Sequence, residues 1–386
     1  MFKVLKLHKL FAFLLFVLFF DTPLIAQLSR THYIPPITTA QNSNALPQNQ
    51  YLHISSPSTE AINVEVTQTK DLSHGDFSCS VAMRLSKVLK LPPFDIAKKI
   101  DTSDEWITAR TGIKERRIVT DQNTCDLALE ASLKAFSMAE LKPEDIDLII
   151  LSTTTPDKIF PATATMLQNR LGASCPAFDL QAVCAGFVFA LTTAQQYIEN
   201  GSAKNILVVG SETMSKIVDW SDRSTAILFA DGAGAAVLSV DNTTGIKHSK
   251  LFSDGSYLSS LHVNNNGIDE LGTIQMEGNE VFKIAVNRLS DLAEETLNEC
   301  NMSSEDLTWM VPHQANIRII KAVAKRIKLP MEKVIQTLDK HGNTSAASIP
   351  LALDVGVRDG RIKKGDTLLF EGIGGGFSWG SVLLEY

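Results

Sequence analysis

Three polar side chains and one run of glycines carry the chemistry this sequence could do. Cys184 lies in Phe178-Asp-Leu-Gln-Ala-Val-Cys-Ala-Gly-Phe187, which reads as a short apolar strand, a run of small residues, and then a helix from Phe187 to Asn200. The thiol therefore falls at or just before a helix N-terminus, where unpaired N–H groups and the helix dipole favour negative charge. That placement predicts a cysteine that ionises easily and can act as a nucleophile. A lone cysteine is more commonly a small buried hydrophobe, and the elbow by itself leaves both readings open. His313, in Val311-Pro-His-Gln-Ala-Asn-Ile-Arg318, sits at the C-terminal end of a strand, where α/β sites are usually built. Asn343 sits in His341-Gly-Asn-Thr-Ser-Ala-Ala-Ser348, a small-residue turn opening a helix. Gly372-Ile-Gly-Gly-Gly-Phe377 is a glycine nest with free N–H groups and no side chains in the way. Singly, a histidine is usually a satisfied core or surface residue and an asparagine a helix cap; together with Cys184 they are harder to dismiss.

The elements that must hold these residues follow from periodicity. Asp126 to Glu140 reads as an amphipathic helix, Leu148 to Thr153 as a buried strand, Ala162 to Leu171 as a helix, and Asn205 to Gly210 as a strand. Asp231-Gly-Ala-Gly-Ala-Ala-Val-Leu238 reads as a glycine turn feeding a strand; it lacks the third glycine and the helix of a dinucleotide site. The chain then starts again. Glu130 to Leu151 is echoed by Asp291 to Pro312, "LKPEDIDLIIL" against "MSSEDLTWMVP". "AFDLQAVCAGF" is echoed by "LLFEGIGGGF", which pairs Gly374 with Cys184. Two copies of an α/β unit predict a duplicated fold sharing one site, with a nucleophile in one half only. Near the start of the body, Trp106 and Arg110 are spaced to share one helix face, an arrangement that suits a planar base and is more often structural.

At 386 residues, 44% hydrophobic and 20% charged, the chain has the content of an ordinary globular protein with one large core or two domains. A net charge of −7 argues against a general nucleic-acid binder. Five irregularly spaced cysteines without a Cys-x-x-Cys pair fit free thiols and neither a disulfide framework nor a metal site. Residues 1–75 read as a presequence. In 1–27, lysines 3, 6 and 9 precede a greasy run that resembles a signal peptide and is too short to span a bilayer comfortably. An acid-poor, Ser-rich segment follows, as in transit peptides. Signal plus transit predicts plastid import, with the bacterial cytoplasm as the alternative setting. The expected halves are 76–246, holding the nucleophile, and 247–386, holding His313 and Asn343.

Cysteine, histidine and asparagine in that order also describe papain-like proteases, but the flanks carry no Cys-Gly-Ser-Cys-Trp signature. The segments "DTSDEWITARTGIKER", "CPAFDLQAVCAGF", "VPHQANIRII", "HGNTSAAS" and "GGGFSWGS" instead resemble the β-ketoacyl-[acyl-carrier-protein] synthase III family, in unbroken order from about Asp101 to Tyr386. The resemblance implies a thiolase-like five-layered αβαβα fold built from two duplicated halves, and a homodimer. It implies an acyltransferase that condenses acetyl-CoA with malonyl-[acyl-carrier-protein] to acetoacetyl-[acyl-carrier-protein], CoA and CO2, initiating type II fatty acid biosynthesis. A related enzyme with a longer or branched acyl-CoA starter is the alternative.

By the same resemblance Cys184 is the nucleophile and His313 and Asn343 complete a triad. The N–H groups of Cys184 and Gly375 form the oxyanion hole. Trp106, Arg110 and Arg223 hold the CoA adenine end, and Phe160 reaches the partner subunit's acyl pocket. Lys283, Gln314, Arg318 and Lys325 are expected to dock the acidic carrier protein, with Arg318, Lys321 and Lys325 spaced along one helix face. No resident cofactor or metal is implied, CoA thioesters being substrates. The Gly-rich first strand of the family is degraded here, at Asp76 to Met83.

Overall fold

Leu148–Ser152 (β1) is buried at every position, as a strand must be when both faces of its sheet are covered. It pairs in parallel with β2 (Ala177–Leu180) and β3 (Asn205–Thr213), and β4 (Asp231–Ser239) closes the sheet antiparallel to β3. The order is β2-β1-β3-β4. A second sheet takes β5 (Gly245–Ser253), β8 (Trp309–Pro312), β9 (Thr367–Gly374) and β10 (Ser378–Glu385) in the order β5-β10-β9-β8, with β8 and β9 parallel and β10 antiparallel to both neighbours. A hairpin, β6 (Leu261–Asn265) and β7 (Leu271–Met276), stands apart. These elements come from a computed structural model, which describes residues 101–241, 244–265 and 271–386. All of them fall within one compact unit, Val64–Tyr386. The expected presequence and the degraded first strand lie outside the described residues.

The helices are α1 (Asp104–Thr111), α2 (Thr124–Ala139), α3 (Thr163–Leu171), α4 (Gly186–Glu199), α5 (Arg223–Ala226), α6 (Gly278–Glu299), α7 (Ile317–Arg326), α8 (Leu338–His341) and α9 (Ser348–Arg358). Their buried stripes decide where they lie. Cys125, Ala128 and Phe136 of α2 pack with Ala164 and Leu167 of α3 against Ile149, Leu151, Leu207 and Val209, one face of the first sheet. Phe187, Val188 and Leu191 of α4 and Ile349 and Ala352 of α9 fill the space between the opposite face (Ile150, Ile206, Val208) and the second sheet (Val311, Leu368, Phe370, Val382). On the far side of that sheet, Ala285, Leu289, Leu292 and Leu297 of α6 and Ile320 and Val323 of α7 cover Met310, Leu369, Ile373 and Leu383. The helical period of these stripes thus stacks helix, sheet, helix, sheet, helix: five layers.

The duplication is visible in the topology. β1, β3 and β4 occupy the places of β8, β9 and β10, and the parallel bridge of Val334 to Met310 marks the place of β2. The echo of Glu130–Leu151 by Asp291–Pro312 is therefore structural, since α2–β1 and α6–β8 hold equivalent positions. The second echo does not survive: "LLFEGIGGGF" is β9 turning straight into β10, whereas the Cys184 elbow is a strand turning into a helix. The glycine-rich stretch from Asp231 is itself strand β4, not a turn. A Cβ on Gly234 would meet Pro350 Cβ at 2.8 Å, so the missing side chain lets α9 lie close against the sheet.

Candidate active site

Two matching elbows meet at the centre of the molecule. In the first half a 3₁₀ turn, Val183–Ala185, leads into α4. In the second, the turn Ser345–Ala347 leads into α9. Each turn begins with a non-glycine residue in the left-handed region, Val183 at φ +50° and Ser345 at φ +49°. For a β-branched valine that conformation costs about 1–3 kcal/mol and persists only where the surroundings fix it. Turn for turn, Cys184 corresponds to Ala346, which corrects the pairing with Gly374 and leaves a sulfur in one of the two turns only.

Cys184 is buried in its turn. Burial pushes its thiol up to about 12; Ser345 eases that rise and Glu212 adds to it. This overturns the expectation of an easily ionised cysteine: desolvation of the charged form outweighs the helix N-terminus. Ser345 Oγ lies beside both the thiol and the Glu212 carboxyl, lowering both values, without a hydrogen bond of ordinary length to either. Glu212 is fully buried, and its pKa is raised by desolvation although Oε2 accepts from Thr155 Oγ1 (2.7 Å), Thr154 N (3.0 Å) and Thr153 Oγ1 (3.2 Å).

Asn343 is the residue two before Ser345, and its Oδ1 accepts from Ser345 N at 2.9 Å. That bond leaves the amide NH2 as the donor end. Its backbone is fixed on both sides, N to Leu228 O at 3.0 Å and O from Ala230 N at 2.8 Å. His313, buried at the end of β8, receives its position from Glu371, whose carbonyl accepts its N–H at 2.7 Å. Its Nδ1 lies 2.6 Å from Ser348 Oγ. Burial lowers the imidazole pKa to about 3, so the ring is neutral at any working pH. The segment 343–348 thus touches all three residues: it contains Asn343, meets Cys184 through Ser345 and holds His313 through Ser348.

The glycine loop closes against the same elbow. A Cβ on Gly374 would stand 2.5 Å from Cys184 N, so only glycine admits this approach. Gly375 follows in the turn between β9 and β10.

Gln314 is not a docking residue. It is 1% exposed, its Nε2 donates to Pro312 O (2.8 Å) and Ile335 O (3.2 Å), and its Oε1 accepts from Thr337 N (3.0 Å) and Leu338 N (3.1 Å). It ties the His313 loop to the segment leading into α8. The basic residues Lys283, Arg318, Lys321 and Lys325 are exposed, and none is ion-paired among the described residues. Arg318 lies over the Phe282 ring at 5.6 Å, which brings the α7 charges beside Lys283 on α6.

Trp106, Arg110 and Arg223 come together as expected from different parts of the chain. The Arg110 and Arg223 guanidiniums lie 4.9 and 4.7 Å from the indole centroid. Ser103 caps α1 by accepting from Trp106 N, and Arg223 pairs with Asp101 at 3.2 Å. Phe160 is 83% exposed beside Ile159 at 89%, a concentration of apolar surface outside the core. Among the described residues no group of three or more His, Cys, Asp or Glu could hold a metal, and no helix is long and apolar enough to cross a membrane. The four described cysteines are free thiols.

Sequence reasoning did not single out Glu212, Ser345, Ser348 or Glu371. Ser345 and Ser348 stand inside a small-residue run read only for its asparagine. The glutamates sit in apolar strands, and a charge in a continuous buried run is the signal that could have found them.

Residues 178–255 match the family 3-oxoacyl-[acyl-carrier-protein] synthase III, and residues 297–386 match the C-terminal region of the same synthase. Residues 45–103 match the arginyl tRNA synthetase N terminal domain, almost wholly outside the described residues. A β-ketoacyl-[acyl-carrier-protein] synthase III of Vesicomyosocius okutanii subsp. Calyptogena okutanii is 70% identical over 292 residues, 76% of this chain and 93% of that protein. One from Neisseria gonorrhoeae is 56% identical over 299 residues, with the same coverage. The crystal structure of 3-oxoacyl-[acyl-carrier-protein] synthase III from Aquifex aeolicus superposes with a TM-score of 0.73 at 46% identity, covering 76% of this chain and 94% of that one.

Proposed function

The chain belongs to the β-ketoacyl-[acyl-carrier-protein] synthase III family, and on that premise we propose that Cys184 is its nucleophile and that His313 and Asn343 are its donors to the second substrate. The activity is the family's condensing acyl transfer, which initiates fatty acid synthesis. A longer or branched starter is not favoured by relatives at 56 and 70% identity that carry the synthase III name.

The first step takes acetyl-CoA. The resting site holds a neutral thiol, with a pKa of about 12, and a neutral imidazole, with a pKa of about 3. The thiol proton therefore leaves as sulfur attacks the thioester carbonyl, and it ends on the CoA sulfur. The tetrahedral oxyanion is held by the N–H groups of Cys184 and Gly375, preorganised donors of the kind that contribute most to lowering an acyl-transfer barrier. Malonyl-[acyl-carrier-protein] then binds and loses CO2, and its thioester enolate is held by His313 Nε2–H and the Asn343 amide. The enolate carbon attacks the acetyl group, and collapse expels the Cys184 sulfur as a thiolate, which takes a proton from solvent. Loss of CO2 makes the carbanion, so no base has to remove a carbon-bound proton, and a histidine too desolvated to hold a proton is no handicap.

The observation that carries this reading is the convergence of all three side chains on residues 343–348. Trp106, Arg110 and Arg223 are assigned to the CoA adenine end; their present stacking supports a site for a flat ring. Lys283, Arg318 and Lys325 are assigned to carrier docking, supported by their unpaired exposure. Exposed Ile159 and Phe160 support a homodimer in which this loop enters the partner's acyl pocket. The relatives named above are bacterial, which supports the bacterial alternative for location; the plastid reading rests on residues outside the described ones and gains nothing from them.

Incubation of the chain with labelled acetyl-CoA tests the assignment. Label is expected on Cys184, and acetoacetyl-[acyl-carrier-protein] on addition of malonyl-[acyl-carrier-protein]. A Cys184→Ala variant that still takes label from acetyl-CoA and condenses at the wild-type rate would refute it.

A further inference from the structure

We propose that Ser348 is a positioning residue that holds His313 in the tautomer carrying its proton on Nε2. The inference deepens the reading above, in which His313 donates to the malonyl thioester, and it rests on that reading for its consequence but not for its geometry.

A neutral imidazole has one N–H, on either nitrogen, and the partner of the other nitrogen decides which. Here the partner of Nδ1 is Ser348 Oγ, at 2.6 Å. The same oxygen lies 3.3 Å from Gln314 N, whose hydrogen it accepts. A backbone N–H can only donate, so one role of the hydroxyl oxygen is fixed as acceptor. Its single proton must then go somewhere in a site where Ser348 is 2% and His313 4% exposed. If Nδ1 carried the proton, Ser348 Oγ would accept two N–H groups and its own O–H would be left pointing at nothing, at the cost of a buried unsatisfied donor. If Nδ1 is bare, the O–H donates to it and the serine hydrogen is satisfied, while Nε2, which is not among the fully buried atoms without a partner, can carry its proton without that penalty. The proton then sits on Nε2, the nitrogen away from the serine. The lowered imidazole pKa supports the argument by removing the doubly protonated form.

The rest of the molecule keeps this arrangement rigid. Ser348 is the first residue of α9, in the central layer. Gln314, whose N–H sets the serine's role, is itself locked by four side-chain hydrogen bonds. The His313 backbone is held on β9 through Glu371 O. An N–H aimed at a developing oxyanion is effective only if it does not have to reorient, and Ser348 removes that freedom.

The test uses the full chain labelled with ¹⁵N-histidine. Long-range proton–nitrogen correlation spectra report which ring nitrogen carries hydrogen. The sequence has eight histidines, and a His313→Gln sample identifies the resonances that vanish. The expected result is a protonated Nε2 and a bare Nδ1; a protonated Nδ1 overturns the proposal, and this readout needs neither activity nor a serine variant. Ser348→Ala is expected to admit the other tautomer and to lower condensation by about tenfold while acylation of Cys184 by acetyl-CoA proceeds as in wild type. Equal loss of both steps with an unchanged tautomer would mean that Ser348 is only a packing residue, and would overturn it too. If no condensation is found in any sample, the functional reading fails while the spectrum still decides the tautomer.

Discussion

A single methyl group placed on Gly374 would test whether the glycine loop and the Cys184 elbow form one oxyanion pocket. In Gly374→Ala the new Cβ would stand 2.5 Å from Cys184 N, 2.9 Å from Val183 Cβ and 3.1 Å from Ala182 O. Against the 3.4 Å at which ordinary contact begins, the closest of these falls short by about 0.9 Å, and the atom in the way is backbone. The elbow and the loop must part, moving the Cys184 N–H away from the oxygen it is to meet. Removal of one such donor costs about 10²–10³ in rate, or about 2.7–4 kcal/mol, so acylation by acetyl-CoA should fall by that order. The assay is rapid-quench labelling of Cys184, with the melting temperature confirming that the variant is folded. Gly255→Ala, where a Cβ meets nothing within 4 Å, is the matched control and should label as wild type. A folded Gly374→Ala protein that acylates at the wild-type rate would show that the loop and the elbow do not share the oxyanion.

The buried carboxyl of Glu371 has neither oxygen hydrogen-bonded, and burial raises its pKa well above 4.5. From pH 4.5 up to its folded-state pKa the unfolded chain has released a proton that the folded chain keeps, so it costs about 1.4 kcal/mol of stability per pH unit as pH rises. Urea unfolding of Glu371→Gln at several pH values should lack that slope; slopes matching wild type would sink the argument. The Cys184 thiol, raised to about 12 from 9.0, should be alkylated by iodoacetamide about tenfold faster per pH unit through pH 9, and a rate that levels off near neutrality would contradict it. Arg318→Glu should raise KM for malonyl-[acyl-carrier-protein] by about 1.4- to fivefold, the range for an exposed ion pair, and leave acetyl-CoA labelling unchanged; equal effects on both substrates would remove Arg318 from the docking surface.

Much of the architecture is legible because its strands are buried on both faces and its helices on one. Leu148–Ser152 is apolar throughout, and the α2 stripe of Cys125, Ala128 and Phe136 repeats at helical spacing, so both are readable to within a residue or two. What misleads is backbone context. Gly232 and Gly234 read as a turn, but they lie within β4 under α9; a missing Cβ means either free φ or close approach, and the sequence does not say which. Gln314 stands in a motif beside exposed Arg318, yet its amide closes a buried network. Cys184 does lie at a helix start, but its depth in the interior is not readable from neighbours in sequence, and depth decides its pKa.

The corrected correspondence between the halves explains why the site lies where it does. Each half has a strained turn that opens a helix, and the two turns lie against one another in the central layer. At the position of Cys184 the second turn has Ala346, whose Cβ would lie 3.3 Å from a Cβ on Gly186. Small residues on both sides of that contact let the elbows approach until Ser345 of one reaches Cys184 of the other. The two elbows are unequal: one carries the sulfur, and the other has a methyl group in that place, with Asn343 before it and Ser348, the partner of the His313 ring, after it.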